Sequence, residues 1–349
     1  MRLERSKPYN LTRLINRQRT LSDQQKKVRG GTVLPGPGRK ISMQMMMDEV
    51  IYIPQITSGD KLYHYTSAAG LLGISNGEFW VTERHFLNDF TEGQVATEAF
   101  CEILDRKMQN KEKCLDLQKL ARKAVFNEQR IALSTKEKRA YYGDYIISFS
   151  LKNDSPLMWS EYSNHAGYCI QFDGTQLLDS LTTLDNSEML HGKVIYGIEQ
   201  QIECLEKTIE QTFLNNSELK NLNKWDDLDS LSDEEARKWI FYASIEVSLY
   251  NMFFKLPCFE GEHEYRIVLM IGHDGGNFKP DQLWEQHFRI KDEILIPYIK
   301  VALTSIDSIE RVIIGSKNKN DLAERGVKHL FRNLKHDIIV DESIIPLRY

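Results

Sequence analysis

The chain has 349 residues, 41% hydrophobic and 27% charged, a balance that suits one large globular domain or two small ones. No apolar run approaches the roughly 20 residues a membrane helix needs, and no apolar stretch follows the basic N-terminus as a signal peptide would require. The five cysteines (Cys101, Cys114, Cys169, Cys204 and Cys258) are widely spaced with no CxxC, which argues against a zinc ribbon or disulfide framework and points to a reducing cytoplasm. The net charge of −5 is uneven: residues 1–42 hold eleven Lys and Arg against Glu4 and Asp23, so this segment carries +9 and the rest −14.

In chain order, residues 1–44 form a basic, flexible arm closed by the Pro/Gly linker at 32–38. The arm is a solvated tail, docks on the acidic body, or attracts nucleic acid. A single α+β domain spans 45–349. Lys61–Tyr65 is expected as a strand, followed by a short helix capped by Ser67 and stopped at Asn76-Gly77. Glu78–Thr82 is a second strand. Helical periodicity covers Thr91–Met108 and Lys111–Leu133. Tyr145–Ser150 is a strand, Pro156–Tyr162 a helical turn, and Gly167–Phe172 and His191–Tyr196 further strands. A helix runs from about Glu199 to Leu214, and a loop from 215 to 230. Ser232 and Glu235 form a capping box for a helix reaching Leu256, before Pro257. Strands follow at Glu262–Ile271, Phe288–Ile290, Tyr298–Leu303, Arg311–Ile314 and Asp337–Val340, with a helix at 320–333. Short strands without regular crossover helices argue against a doubly wound parallel sheet. Gly272, Gly275 and Gly276 lack the Rossmann spacing, and no P-loop occurs.

Three segments suit one cleft. His64 lies in a strand between Tyr63 and Tyr65, followed by Thr66 and Ser67 at a helix N-terminus that favours phosphate. Ser148 and Ser150 share one face of their strand. Glu262 and Glu264, on one face of theirs with His263 opposite, are two acids beside an apolar continuation. A carboxylate there could bond a ribose hydroxyl or stabilise positive charge on a sugar carbon. Each has a plainer reading: a structural histidine, serines capping the turn before Pro156, and a solvated edge strand with Arg266 as salt-bridge partner. Trp159 and Tyr162 stack a ring or belong to the core, the latter being the safer choice. Asn88, Asp89 and Glu92 cap the following helix more readily than they bind metal. No histidines pair at ligand spacing, and no metal site is expected.

The blocks LYHYTSAAGLLGISNGEFWVTERHFLNDFTEG, ISFSLKNDSPLMWSEYSNHAGYCIQF, EHEYRIVLM and IPYIKVALTSIDSIERVIIGSKN resemble a bacterial family known as domain of unknown function 2971, over roughly residues 60–335. That family more distantly resembles the ADP-ribosyltransferase superfamily. This second resemblance implies an ADP-ribosyltransferase-like split two-sheet core with helical insertions and NAD in the cleft. It places the first-strand histidine on His64, holding a ribose, the Ser-x-Ser strand on Ser148 and Ser150, and the final glutamate on Glu264 with Glu262 before it. Tyr65, Tyr142 or Trp159 would supply a ring for nicotinamide. The set is mixed: histidine-type members carry a tyrosine on the middle strand, and Ser-x-Ser members begin with arginine.

The leading expectation is an enzyme that uses NAD as substrate for glycosyl transfer to protein, nucleic acid or water. Glu264, Glu262 and His64 would be catalytic, and His64, Tyr65, Thr66, Ser148, Ser150, Trp159 and Arg266 would bind NAD. From the resemblance alone, such an enzyme would be a toxin or anti-phage effector. The alternative is a non-catalytic module that senses a nucleotide or phage component. The enzyme requires His64 and Glu264 to face one pocket; the module predicts them apart or buried. A metal-dependent nuclease using Asp89, Glu92 and the acids at 260–264 ranks last.

Overall fold

The computed structural model describes residues 52–89, 91–134, 143–182, 187–215, 225–271, 285–291, 293–318 and 320–346. The basic arm, Tyr142 and the glycines at 272, 275 and 276 lie outside them. The described part is a mixed α+β structure on one ten-stranded sheet.

Strand β1 is Lys61–Thr66. Helix α1, Ala68–Ser75, opens as expected with the Ser67 hydroxyl accepting from the Gly70 N–H, and ends at Asn76. Gly77 follows at φ +81°, a conformation that costs a residue without Cβ little. Next come β2 (Glu78–Glu83), α2 (Val95–Lys107), α3 (Lys111–Ser134), β3 (Gly143–Ser150), α4 (Pro156–Ser163) and β4 (Tyr168–Asp173). Helix α2 begins later than Thr91 because Asp89 binds the N–H and hydroxyl of Thr91 and holds a turn ahead of it. Helix α5, Gly174–Ser180, was not expected, although Asp173 is a legible cap: it accepts from Gln176 N–H at 3.1 Å.

Strand β5 is Ser187–Lys193, so Val194–Tyr196 lies past it, and α6 is Ile198–Asn215. Helix α7, Asp233–Tyr250, carries the expected capping box at Ser232 and Glu235. It stops six residues before Leu256. Asn251 is held elsewhere: its side chain accepts from Ala96 N–H at 3.0 Å and donates to Thr97 at 3.2 Å, supplying the cap that α2 lacks locally. The chain closes with β6 (Glu264–Ile271), β7 (Gln286–Lys291), β8 (Ile294–Ala302), β9 (Ile309–Ile314), α8 (Asp321–Asn333) and β10 (Ile339–Glu342).

Pairing is antiparallel except for β9 with β10. β3 is the hub. Along one edge it pairs with β6 from Gly143↔Ile271 to Ser150↔Glu264, and β5 lies beyond β6. Its other edge forks. Tyr145 and Ile146 pair with β2, which leads to β8 and β7; Ser150 pairs with Tyr63 of β1, which leads to β4, β9 and β10. The stretch Ile147–Phe149 lies between the two branches.

Alternation along the hub strands divides the core. Tyr145, Ile147 and Phe149 share a face with Tyr265, Ile267 and Leu269, in one cluster with Phe79, Phe172 and, from α8, Val327 and Phe331. On the other face Ile146, Val268 and Met270 pack under α2, α3, α6 and α7, with Phe100, Leu205, Trp239 and Val247. A smaller cluster on that same face places α4, through Met158 and Trp159, over Tyr65, Cys169 and Ile313. Among the described residues no helix is long and apolar enough to cross a membrane.

Candidate functional site

The second face turns polar where the hub strands meet the turn before β6. Ser148 pairs with Arg266, and Ser150 with Glu264. Glu262 is not on this strand. The segment Pro257–Glu262 is a short 3-10 turn, and His263 takes a left-handed conformation at φ 45°. The one-face rule for residues i and i+2 therefore does not hold for Glu262 and Glu264; the reversal at His263 brings both carboxylates together by another route. Ser150 helps to fix it, its Oγ donating to the Glu262 carbonyl at 2.7 Å, while the Leu151 N–H donates to the His263 carbonyl.

The two carboxylates share Lys255. Its Nζ lies 2.6 Å from Glu262 Oε2, 3.2 Å from Glu264 Oε2 and 3.5 Å from Glu92 Oε1. Arg266 closes the cluster: Nε donates to Glu264 Oε1 at 2.7 Å, Nη2 to Glu92 Oε1 at 2.7 Å, and Nη1 to the Met252 carbonyl at 2.8 Å. Tyr162 donates to Glu262 Oε1 at 3.1 Å, and the Tyr196 hydroxyl accepts from the Glu264 N–H at 3.0 Å. Glu264 is 5% exposed, Lys255 3% and Arg266 1%.

Three carboxylates and two cations leave this buried group at −1 when all are ionised. The proton affinities diverge accordingly. Burial pushes Glu262 up, and the charge of Glu264 adds to the effect against Lys255. Burial also opposes ionisation of Glu264, but Arg266 and Lys255 outweigh it and, with the Ser148 hydroxyl, hold it well below the ordinary carboxylate range. Burial opposes the charge on Lys255 too, yet Glu264 and its neighbours keep it raised. A proton on Glu262 would leave the group neutral. Glu92 Oε2 is buried with no hydrogen-bond partner, as is Asp89 Oδ2.

His64 takes no part in this cluster. It faces the other side of the sheet from Tyr63, Ser148 and Glu264, with Phe79 and Phe149 at ring-centroid distances of 5.8 and 5.5 Å. Its Nδ1 donates to the Ser148 carbonyl at 3.0 Å, standing in for a strand-to-strand bond where the sheet forks. A carbonyl only accepts, so Nδ1 carries the proton. Burial lowers the imidazole to about 4 against the opposing bond to Ser148, and the charge of Arg289 acts in the same direction as burial. The expected single pocket for His64 and Glu264 is thus corrected: successive side chains alternate, and Tyr63, not His64, pairs with Ser150.

The other expected residues separate into structural and clustered ones. Tyr65 donates to the Lys152 carbonyl and accepts from Ser155 N–H, tying the loop before α4. Trp159 is fully buried, with Nε1 on Asp154 at 2.7 Å and its ring edge-on to Tyr65, so it belongs to the core. Ser67 caps α1, Thr66 precedes it, and Ser155, not Ser148 or Ser150, caps α4. Asn88 accepts from Lys291. Glu92 is a cluster member instead of a helix cap. Sequence reasoning missed Lys255 and Tyr196 as partners of the acids; Tyr162, read as core, packs against the Trp159 cluster and also reaches Glu262. Two lysine contacts with acids seven and nine residues on leave no periodic mark.

Among the described residues no group of three His, Cys, Asp or Glu side chains is placed to hold a metal ion. Glu92, Glu262 and Glu264 are occupied by Lys255 and Arg266, which disfavours the nuclease reading. All five cysteines are free thiols, and Cys258 alone among them is exposed.

Residues 158–267 match the family model described as "Protein of unknown function (DUF2971)". This segment carries α4 from Met158 on, Lys255, Glu262, Glu264 and Arg266, and the match supports the resemblance to that family there. No curated protein matches the chain, and no solved structure does.

Proposed function

We propose that the chain is a non-catalytic nucleotide-binding module whose cleft is the fork of the sheet around β3. The observation that carries this reading is the separation of His64 from Glu264 on opposite faces, with both Glu264 oxygens engaged by Arg266 and Lys255. A carboxylate so engaged and 5% exposed is poorly placed to meet a sugar carbon. Binding of a nucleotide or a phage component at the fork would be relayed to a partner, with the basic N-terminal arm contacting nucleic acid or protein.

One observation favours a second reading, an ADP-ribosyltransferase-like enzyme that takes NAD as substrate. Glu262 and Glu264 sit on one ammonium with proton affinities pushed in opposite directions, the pattern of an acid and a charge-stabilising carboxylate in glycosyl transfer. The forked sheet is also compatible with a split two-sheet core. In that case Arg266 and Lys255 would have to release Glu264 when substrate enters.

Incubating the purified full chain with NAD and following nicotinamide release separates the two. The module binds nucleotide and releases no nicotinamide, alone or with a cell extract as acceptor source. Release that disappears in a folded Glu264→Gln variant would replace the module with the enzyme.

A further inference from the structure

We propose that Arg289 is the phosphate contact of this nucleotide cleft, an inference that rests on the nucleotide reading above. Arg289 lies on β7, and its Nη2 donates to Thr82 Oγ1 at 2.9 Å. Its Nε is buried with no hydrogen-bond partner. Among the described residues no carboxylate lies within ion-pair distance of it, whereas Arg84 has Asp144 at 3.0 Å and Arg266 has Glu264 and Glu92. A half-buried guanidinium without a counter-charge and with an unpartnered buried N–H is costly. An anion entering beside it would remove both penalties.

The placement is specific. Thr82 pairs with Ile146 of β3 and with Tyr298 of β8. Tyr298 pairs with His287, and Arg289 is two residues further along β7. Arg289, Thr82, Ile146, Ser148 and Glu264 therefore share one face. Ser148 is one pleat beyond Ile146, roughly 7 Å along β3, at the place where the β1 and β2 branches part. Arg289 is near enough to His64 for its charge to disfavour the imidazolium. Arg289 thus places an uncompensated cation on the same face as the fork, in the row of Ile296 and on the other side of the Thr82–Ile146 row from Ser148. A nucleotide offers the complementary group: phosphate oxygens for the guanidinium, which Thr82 already orients.

The test is calorimetric titration of the full chain with ADP, adenosine and inorganic pyrophosphate, against Arg289→Gln and Arg289→Lys, with circular dichroism as the folding control. The wild type is expected to bind ADP at least tenfold more tightly than adenosine, and added salt is expected to reduce the difference. Arg289→Gln should lose about 10- to 100-fold in affinity for ADP and pyrophosphate, as for a charge-assisted bond, and leave adenosine unchanged; Arg289→Lys should fall between. Equal ADP affinity in wild type and Arg289→Gln overturns the assignment, as does a wild type that binds adenosine as well as ADP. Pyrophosphate binding that depends on Arg289, with no binding of ADP, keeps the anion site and overturns the nucleotide reading. Absence of pyrophosphate binding to the wild type overturns the anion site itself.

Discussion

The two faces of β3 and β6 are made by the same sixteen residues, yet one is largely apolar and the other ends in five charges. On the first face Tyr145, Ile147, Phe149, Tyr265, Ile267 and Leu269 pack among other apolar side chains, with only the tyrosine hydroxyls reaching polar partners, Gln286, His191 and Gln55. On the second, Ser148, Ser150, Glu264 and Arg266 meet Lys255, Glu262 and Glu92, all delivered by turns and loops. The apolar face gains stability with each carbon buried. The ionic face cannot be assumed to, because desolvating five charges can cost more than their pairing returns. What the ionic face does hold is dependence: each of its charges is tolerable only while the others remain.

Four substitutions would break or sharpen this contrast. The largest effect is expected from Arg266→Met, which strands Glu264 and Glu92 and should cost about 3–5 kcal/mol in chemical denaturation, as removing one partner of a buried pair does. Phe149→Ala on the opposite face should cost about 3–4 kcal/mol by cavity formation; a loss above that of Arg266→Met would reverse the ranking of the two faces. Between them stands the fork. The imidazole of His64 is lowered from 6.5 to about 4, so in acid the unfolded chain takes up a proton that the folded one refuses. Its contribution is fully present above pH 6.5 and is lost as pH falls toward 4. Comparing urea midpoints of wild type and His64→Gln at pH 7.5 and 4.5 should show a steeper acid loss in the wild type, by roughly 1–3 kcal/mol after allowance for partial exposure. Parallel pH profiles would mean that the ring is solvated. Smallest of all, Glu98→Gln removes the bidentate partner of Arg122 at an exposed pair and should shift stability by less than about 1 kcal/mol.

Much of the fold could be read before any coordinates. Phe79-Trp80-Val81, the Tyr145–Ser150 run and the Ser232/Glu235 box each declare their element through local chemistry, since alternation, β-branching and capping act within a few residues. The candidate site was half legible. Ser148, Glu262, Glu264 and Arg266 do come together. His64 was expected beside them, and its parity on β1 was read correctly, but the register that sets this parity against β3 is a pairing across 87 residues. The expected strand from Glu262 and the expected helix to Leu256 both overran, because Asn251 and His263 are governed by partners far away in sequence.

By itself the sequence determined most element types, the mixed α+β class, the caps at Ser67 and Ser232 and which acids would be hard to leave unpaired. All of these follow from residue chemistry acting over one or two turns. Only the tertiary structure decided that β3 would be a forked hub, that Lys255 and Glu92 would meet Glu262 and Glu264, and that Arg289 would lack a counter-charge. Those outcomes depend on strand register and on charge compensation between distant segments, for which the chain carries no local signal.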